Sequence, residues 1–147
     1  MTPRGVITDL LLANRLHSMS QQNDQKNVFG TELLPCSTDP ETGYLRDGCC
    51  HEHPADHGRH EICAVMTEEF LALSKYLGND LSTPRPEFRF EGLKPGDRWC
   101  LCAARFLQAH DEGAAPQVYL AATHRATLDV VPLRVLREHA LDDHATR

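Results

Sequence analysis

The clearest alternation of apolar and polar positions in the chain lies between residues 61 and 78. Glu61–Met66 is short, mostly apolar and partly β-branched, which predicts a strand. Thr67 is a suitable helix N-cap, and the two glutamates that follow it suit the positive end of a helix dipole. The residues that recur at helical spacing and form the predicted inner face are Phe70, Leu71, Ser74 and Leu77. Gly78 suits the left-handed turn that ends a helix, so this region predicts a strand followed by an amphipathic helix.

Shorter patterns predict the remaining elements. Glu87–Phe90 alternates and predicts a short strand, and Arg98–Ala103 has the composition of another. Ala104–His110 predicts a second helix, followed by a strand at Gln117–Ala121. Pro132 is tolerated at a first helical position and predicts the start of a terminal helix.

Short strands separated by helices are typical of the α+β class. We therefore predict a single compact domain with a small mixed or antiparallel sheet, two or three helices and long turn-rich loops. The predicted boundaries are an N-terminal extension at 1–26 with a short helix and a linker, the domain at 27–142, and a tail at 143–147. A chain of 147 residues is long enough to bury a hydrophobic core of its own.

Charge and hydropathy exclude some functions. A net charge of −6 argues against non-specific binding of nucleic acid, and no apolar run approaches the length of a membrane span. The apolar residues near the N-terminus are interrupted by Asp9 and lack a cleavage site after them, so we expect no signal peptide and a cytoplasmic protein. The expected binding partner is an unidentified small molecule or protein. Assembly of the chain into a homo-oligomer is left open.

The cysteines carry the strongest chemical signal. Four of the six lie in a segment rich in proline and glycine, and two follow in the sequence Trp99-Cys100-Leu101-Cys102. In the cytoplasm all six are expected to be free of disulfides, which leaves metal ligation, redox chemistry or simple core packing as their role. A metal site would take zinc or another soft metal. The candidate ligands, all thiols or an imidazole, are Cys36, Cys49, Cys50, His60, Cys63, Cys100 and Cys102.

The arrangement of these residues supports two hypotheses. No Cys-x-x-Cys pair is present, so the metal hypothesis rests on composition, and buried structural cysteines are the alternative. On a strand, Cys100 and Cys102 would share a face, and both could then approach the earlier cysteines. The candidate catalytic residues are Cys50, Cys102 and His124, since a reactive thiol needs a base in contact with it. One of these thiols is expected to react well below the usual cysteine pKa of about 8.5.

Several motifs are shared with a known family. They begin at Leu34-Pro35-Cys36-Ser37, Asp47-Gly48-Cys49-Cys50, Cys63-Ala64-Val65-Met66, Gly78-Asn79-Asp80-Leu81 and Gly92-Leu93-Lys94-Pro95-Gly96-Asp97. With these motifs the chain resembles domain-of-unknown-function family 2237, over roughly Asn27 to Ala140. Phe106 stands where that family often has tryptophan, which suggests a core or pocket position. The resemblance implies a cytosolic single-domain protein with no assigned reaction.

The sequence therefore predicts a thiol-centred or metal-binding protein. The rival hypothesis is a non-catalytic binding or assembly module whose cysteines are structural.

Overall fold

The computed structural model describes residues 25–143. Nearly all of the predicted N-terminal extension and tail, including the predicted N-terminal helix, therefore lies outside the described residues. The strands are β1 (His60–Val65), β2 (Arg98–Cys102) and β3 (Gln117–Val118). The α-helices are α1 (Glu68–Tyr76), α2 (Ala103–Asp111) and α3 (Leu133–Glu138). Short 3-10 helices occupy Pro86–Phe88, Leu120–Ala122 and Arg125–Asp129. No helix among residues 25–143 is long and apolar enough to cross a membrane.

The three strands form one antiparallel sheet in the order β2-β1-β3. In the register between β1 and β2, Cys63 lies opposite Cys100, and Ile62 lies opposite Leu101. The register shifts between His60 and Ile62, so that His60 lies opposite Cys102. The α+β class and the small antiparallel sheet predicted from the sequence are confirmed.

Helix α1 forms for the local reasons that its sequence suggests. The Thr67 hydroxyl accepts the backbone N–H of Phe70 at 3.0 Å, which satisfies one donor of the first turn. Phe70, Leu71 and Ser74 are buried, as predicted. Leu77 is half-buried and caps the C-terminus, and Gly78 then takes a left-handed φ of 97°.

Two predicted strands differ from the structure. Glu87–Phe90 is wrong as a strand, because Pro86 begins a 3-10 helix there and a single bridge between Arg85 and Phe90 closes the turn. The predicted strand at Gln117–Ala121 ends after Val118. The reason lies far along the chain, since the Asp142 carboxylate accepts the backbone N–H groups of Leu120 and Ala121 at 2.6 and 3.0 Å.

The two faces of the sheet bury different kinds of side chain. Ile62, Ala64 and Leu101 belong to the hydrophobic core, which also contains Phe70 of α1 and Phe106 of α2. The other face carries a separate buried cluster, formed by Cys36, Cys50, Cys63, Cys100 and Ala122. The predicted position of Phe106 in the core is thus confirmed. The sulfur-bearing face is where the candidate functional residues meet.

Candidate functional site

Four cysteines form two disulfides, which we call the sulfur cluster. Cys36 is bonded to Cys63, with Cα atoms 5.6 Å apart, and Cys50 is bonded to Cys100, with Cα atoms 5.3 Å apart. All four side chains are buried. The Sγ atoms of Cys36, Cys50 and Cys100 lie within 4.8 Å of one another, so the disulfides are neighbours. The expectation of six free thiols is therefore wrong for four of them.

The sheet explains why these cysteines meet. Cys63 and Cys100 lie opposite each other on β1 and β2, so each strand presents one sulfur at the same place. The loop at residues 36–50 supplies the other two and is also tied down by hydrogen bonds. The Thr42 hydroxyl accepts the backbone N–H of Cys100 at 2.8 Å, and the Gly48 carbonyl accepts that of Cys36 at 2.7 Å. The loop is therefore clamped across two strands of the sheet.

The remaining two cysteines are free and half-buried. Burial, and then the nearby Asp47 carboxylate, raise the pKa of Cys49 above its ordinary value. That thiol consequently stays protonated at neutral pH and is a poor nucleophile. Cys102 ends β2 and is the N-cap of α2.

Cys102 lines a cavity of about 260 Å³ between the sheet and the clamped loop. We call this space the Cys102 cavity. Its lining side chains come from the loop, from β1 and β2 and from the segment after α1: Tyr44, Arg46, His60, Asn79, Leu81, Trp99, Cys100, Leu101 and Cys102, with Gly43 completing the wall. The cavity thus combines a free thiol, an imidazole, a guanidinium and aromatic rings.

His60 lies opposite Cys102 in the strand register. Cross-strand neighbours in antiparallel sheets have Cβ atoms about 4.5–5.5 Å apart. Asp56 holds His60 twice: one carboxylate oxygen lies 2.7 Å from Nδ1 and the other accepts the backbone N–H at 2.8 Å. Because a carboxylate only accepts, Nδ1 carries a proton, and in the neutral ring Nε2 is then the acceptor. The Cys102 thiol and the imidazole held by Asp56 therefore line one cavity, and thiol, imidazole and carboxylate are the groups that activated cysteine nucleophiles combine.

Gly58 completes the support of the imidazole. A Cβ atom at this position would lie 2.5 Å from Cε1 of His60 and 3.1 Å from Nε2. The absence of a side chain therefore lets the loop pass over the ring that Asp56 holds.

His124, a predicted catalytic residue, lies elsewhere. It is 2% exposed and does not line the Cys102 cavity. Its Nδ1 accepts the backbone N–H of Ala126 at 2.9 Å, whereas Nε2 has no hydrogen-bond partner among residues 25–143. Burial, and then nearby His51, lower the pKa of His124 to about 4, so the ring is neutral at neutral pH. His124 is thus absent from the residues that line the cavity with Cys102, and its catalytic role stays a prediction.

The structure brings some of the other predicted site residues together. Cys36, Cys50, Cys63 and Cys100 are brought together as predicted, although as disulfides. His60 and Cys102 share a cavity. Sequence reasoning missed Asp56 and Arg46. The spacing of Asp56 and His60, four residues apart on a glycine-containing loop, was an available signal. Arg46 had none, since its place is set by the clamped loop, where its guanidinium lies 5.4 Å from the centre of the Trp99 ring.

These features define a small α+β protein with a buried pair of disulfides and a free thiol that lines a cavity. Residues 26–140 match the model of the uncharacterised proteins conserved in bacteria called DUF2237. Since this match spans most of the chain, the protein belongs to that family. No curated protein matches the sequence.

Proposed function

We propose that this protein is a thiol-centred enzyme in which Cys102 exchanges with the disulfide of a small molecule bound in the Cys102 cavity. The observation that supports the proposal is the cavity itself, which Cys102 and His60 both line and in which Asp56 orients the imidazole. In this proposal Cys50, predicted as catalytic, is structural, since it is bonded to Cys100.

The proposed step balances without a further reactant. The Cys102 thiol gives its proton to Nε2 of His60 as Sγ attacks one sulfur of the substrate disulfide. A bond forms between Sγ and that sulfur, and the substrate S–S bond breaks with its electron pair on the second sulfur. His60 then returns the proton to this departing thiolate. One disulfide has been exchanged for another, with no net oxidation.

Attack on sulfur suits the cavity better than attack on a carbonyl carbon. Acyl transfer needs backbone donors for an oxyanion. The Ala103 amide, which follows the thiol directly, already donates to the Arg59 carbonyl at 3.0 Å. Displacement at sulfur develops no oxyanion and does not need that donor. Arg46 in the cavity wall favours a substrate with a carboxylate, because a guanidinium binds carboxylates through paired hydrogen bonds.

The test follows mixed-disulfide formation by mass spectrometry, with oxidised glutathione as the probe at neutral pH. We expect one glutathionyl group on Cys102, and none after Cys102→Ser. The matched control is Cys49→Ser, which removes the other free thiol and should change the rate less than twofold. His60→Gln should slow the reaction roughly a hundredfold, which is the lower end of what a positioned base contributes.

Gly58→Ala provides an independent check, because it displaces the imidazole without altering the thiol or the base. It should slow modification of Cys102 while the melting temperature stays close to that of the parent. If Cys102 reacts equally fast in the parent, His60→Gln and Gly58→Ala proteins, or if the probe modifies Cys49 instead, the proposal is wrong.

A second candidate function is binding of a soft metal by the reduced sulfur cluster. It is favoured by the three Sγ atoms within 4.8 Å of one another, to which Cys63 would add a fourth thiolate after reduction. Metal analysis of protein prepared under reducing conditions tests it, and one equivalent of zinc that is lost in Cys36→Ser would support it. The predicted cytoplasmic location stays a prediction, and persistent disulfides are more typical of oxidising compartments.

A further inference from the structure

A second group of ligating side chains lies outside the sulfur cluster and the Cys102 cavity. His110 lies in the last turn of α2, and Glu138 and His139 end α3. One ligand atom from each of these residues lies within 4.8 Å of the others. Nδ1 of His110 and Nε2 of His139 are 2.9 Å apart. This group has no part in the thiol chemistry proposed above.

From this group we infer that His110, Glu138 and His139 form a binding site for a divalent transition-metal ion such as zinc. Imidazole nitrogens with a carboxylate are a ligand set that zinc and nickel accept. Zinc–nitrogen bonds of about 2.0–2.1 Å place two ligand nitrogens about 2.9–3.4 Å apart for angles between 90° and the tetrahedral value. The observed 2.9 Å lies at the lower end of this range, which corresponds to an angle near 90° at the ion.

The rings are held in place by the fold. His139 makes an edge-to-face contact with the buried ring of Phe106, at 5.7 Å between centroids. The carbonyl of His139 accepts the backbone N–H of Val118 at 2.9 Å, which ties the residue to β3. Such fixed positions reduce the conformational entropy that is lost when ligands close around an ion. Both rings are half-buried and Glu138 is exposed, so an ion can reach them.

The local electrostatics also suit a cation. Nine-residue α2 ends at this group, and the C-terminus of a helix carries partial negative charge. Glu138 adds a carboxylate.

The experiment is calorimetric titration with zinc of the full chain, with its disulfides intact and its two free thiols alkylated. Alkylation removes Cys49 and Cys102 as competing ligands. We expect one equivalent bound, at least a tenfold loss of affinity in His110→Gln, and a smaller loss in Glu138→Gln. His57→Gln is the matched control, because His57 is an exposed imidazole on a loop. The affinity of the His57→Gln protein for zinc should equal that of the parent.

Failure has clear forms. If the parent binds no zinc at millimolar concentration, or if His110→Gln and His57→Gln bind as tightly as the parent, the inferred site is wrong. Glu138 is exposed, so Glu138→Gln should fold normally and keeps the test decisive even where a histidine variant does not fold.

Discussion

Removal of the Cys50–Cys100 disulfide should destabilise the protein about as much as the loss of a large buried side chain from its core. The perturbation is the double substitution Cys50→Ala with Cys100→Ala, which leaves no unpaired thiol behind. The two residues are 50 positions apart in the sequence. For a loop of this length the entropy of the unfolded chain gives a stabilisation of about 4 kcal/mol. Typical domains have only about 5–15 kcal/mol of stability in total.

The second disulfide gives a comparison within the same protein. Cys36 and Cys63 are 27 positions apart. The same relation gives about 3.5 kcal/mol for that disulfide, so its removal should cost slightly less. Cys49→Ala is the matched control, since it removes a free and only half-buried thiol next to Cys50. Its cost should stay below about 1 kcal/mol.

The assay is urea unfolding without reductant, followed by the fluorescence of Trp99. This is the single tryptophan of the chain and lines the Cys102 cavity beside Cys100. A thiol count on the unfolded, unreduced parent should give two free thiols. If the count is six, or if the double variant loses less than about 1 kcal/mol, the disulfide is not formed in the protein and the reasoning fails.

Three further substitutions test the core and its buried polar groups by the same unfolding assay. Phe70→Ala should cost about 3–5 kcal/mol because it empties a buried position, and a variant as stable as the parent would show that the inner face of α1 is misassigned. Thr67→Ala should cost about 1 kcal/mol through the lost cap, and no loss would mean that the cap contributes nothing. The pKa of His124 falls from 6.5 in the unfolded chain to about 4 in the fold. Between those values the unfolded chain binds the extra proton, so stability should fall as the pH drops through this window, by up to about 3 kcal/mol. His124→Asn, which keeps an acceptor for Ala126, should remove that part of the pH dependence, and an unchanged slope would contradict the assignment.

Elements with a complete local signal were predictable from the sequence. Helix α1 has its cap, its acidic first turn and its terminal glycine within one short segment, and the structure follows them. The strands at 60–65 and 98–102 were recognised from short apolar runs. By contrast, β3 ends after Val118, and Asp142 accepts the backbone N–H groups of Leu120 and Ala121. Asp142 is more than twenty residues away from these donors, so the residue pattern around Gln117 does not predict where the strand ends.

The candidate site was predictable in composition but not in pairing. The cysteines stood out in the sequence, and Cys100 does meet earlier cysteines as expected. Of the adjacent Cys49 and Cys50, however, only Cys50 is buried against β2, and no local feature tells them apart. The redox state was also predicted wrongly, because free thiols were expected from a cytoplasmic location, whereas the fold brings together sulfurs that are 27 and 50 positions apart in the sequence.

The meeting of His60 with Cys102 depends on an irregularity in β1. In a regular strand His60 and Ile62 would share a face, and His60 would point into the hydrophobic core. Because of the register shift, His60 and Ile62, which are two residues apart on β1, pair with Cys102 and Leu101, which are adjacent on β2. One extra residue on one strand is the pattern of a β-bulge. Ile62 therefore keeps its partner Leu101 in the core, while His60 moves to the face that carries Cys102. Bulges re-aim side chains at functional sites in many sheets, and here the one extra residue is what allows a thiol and an imidazole to line the same cavity.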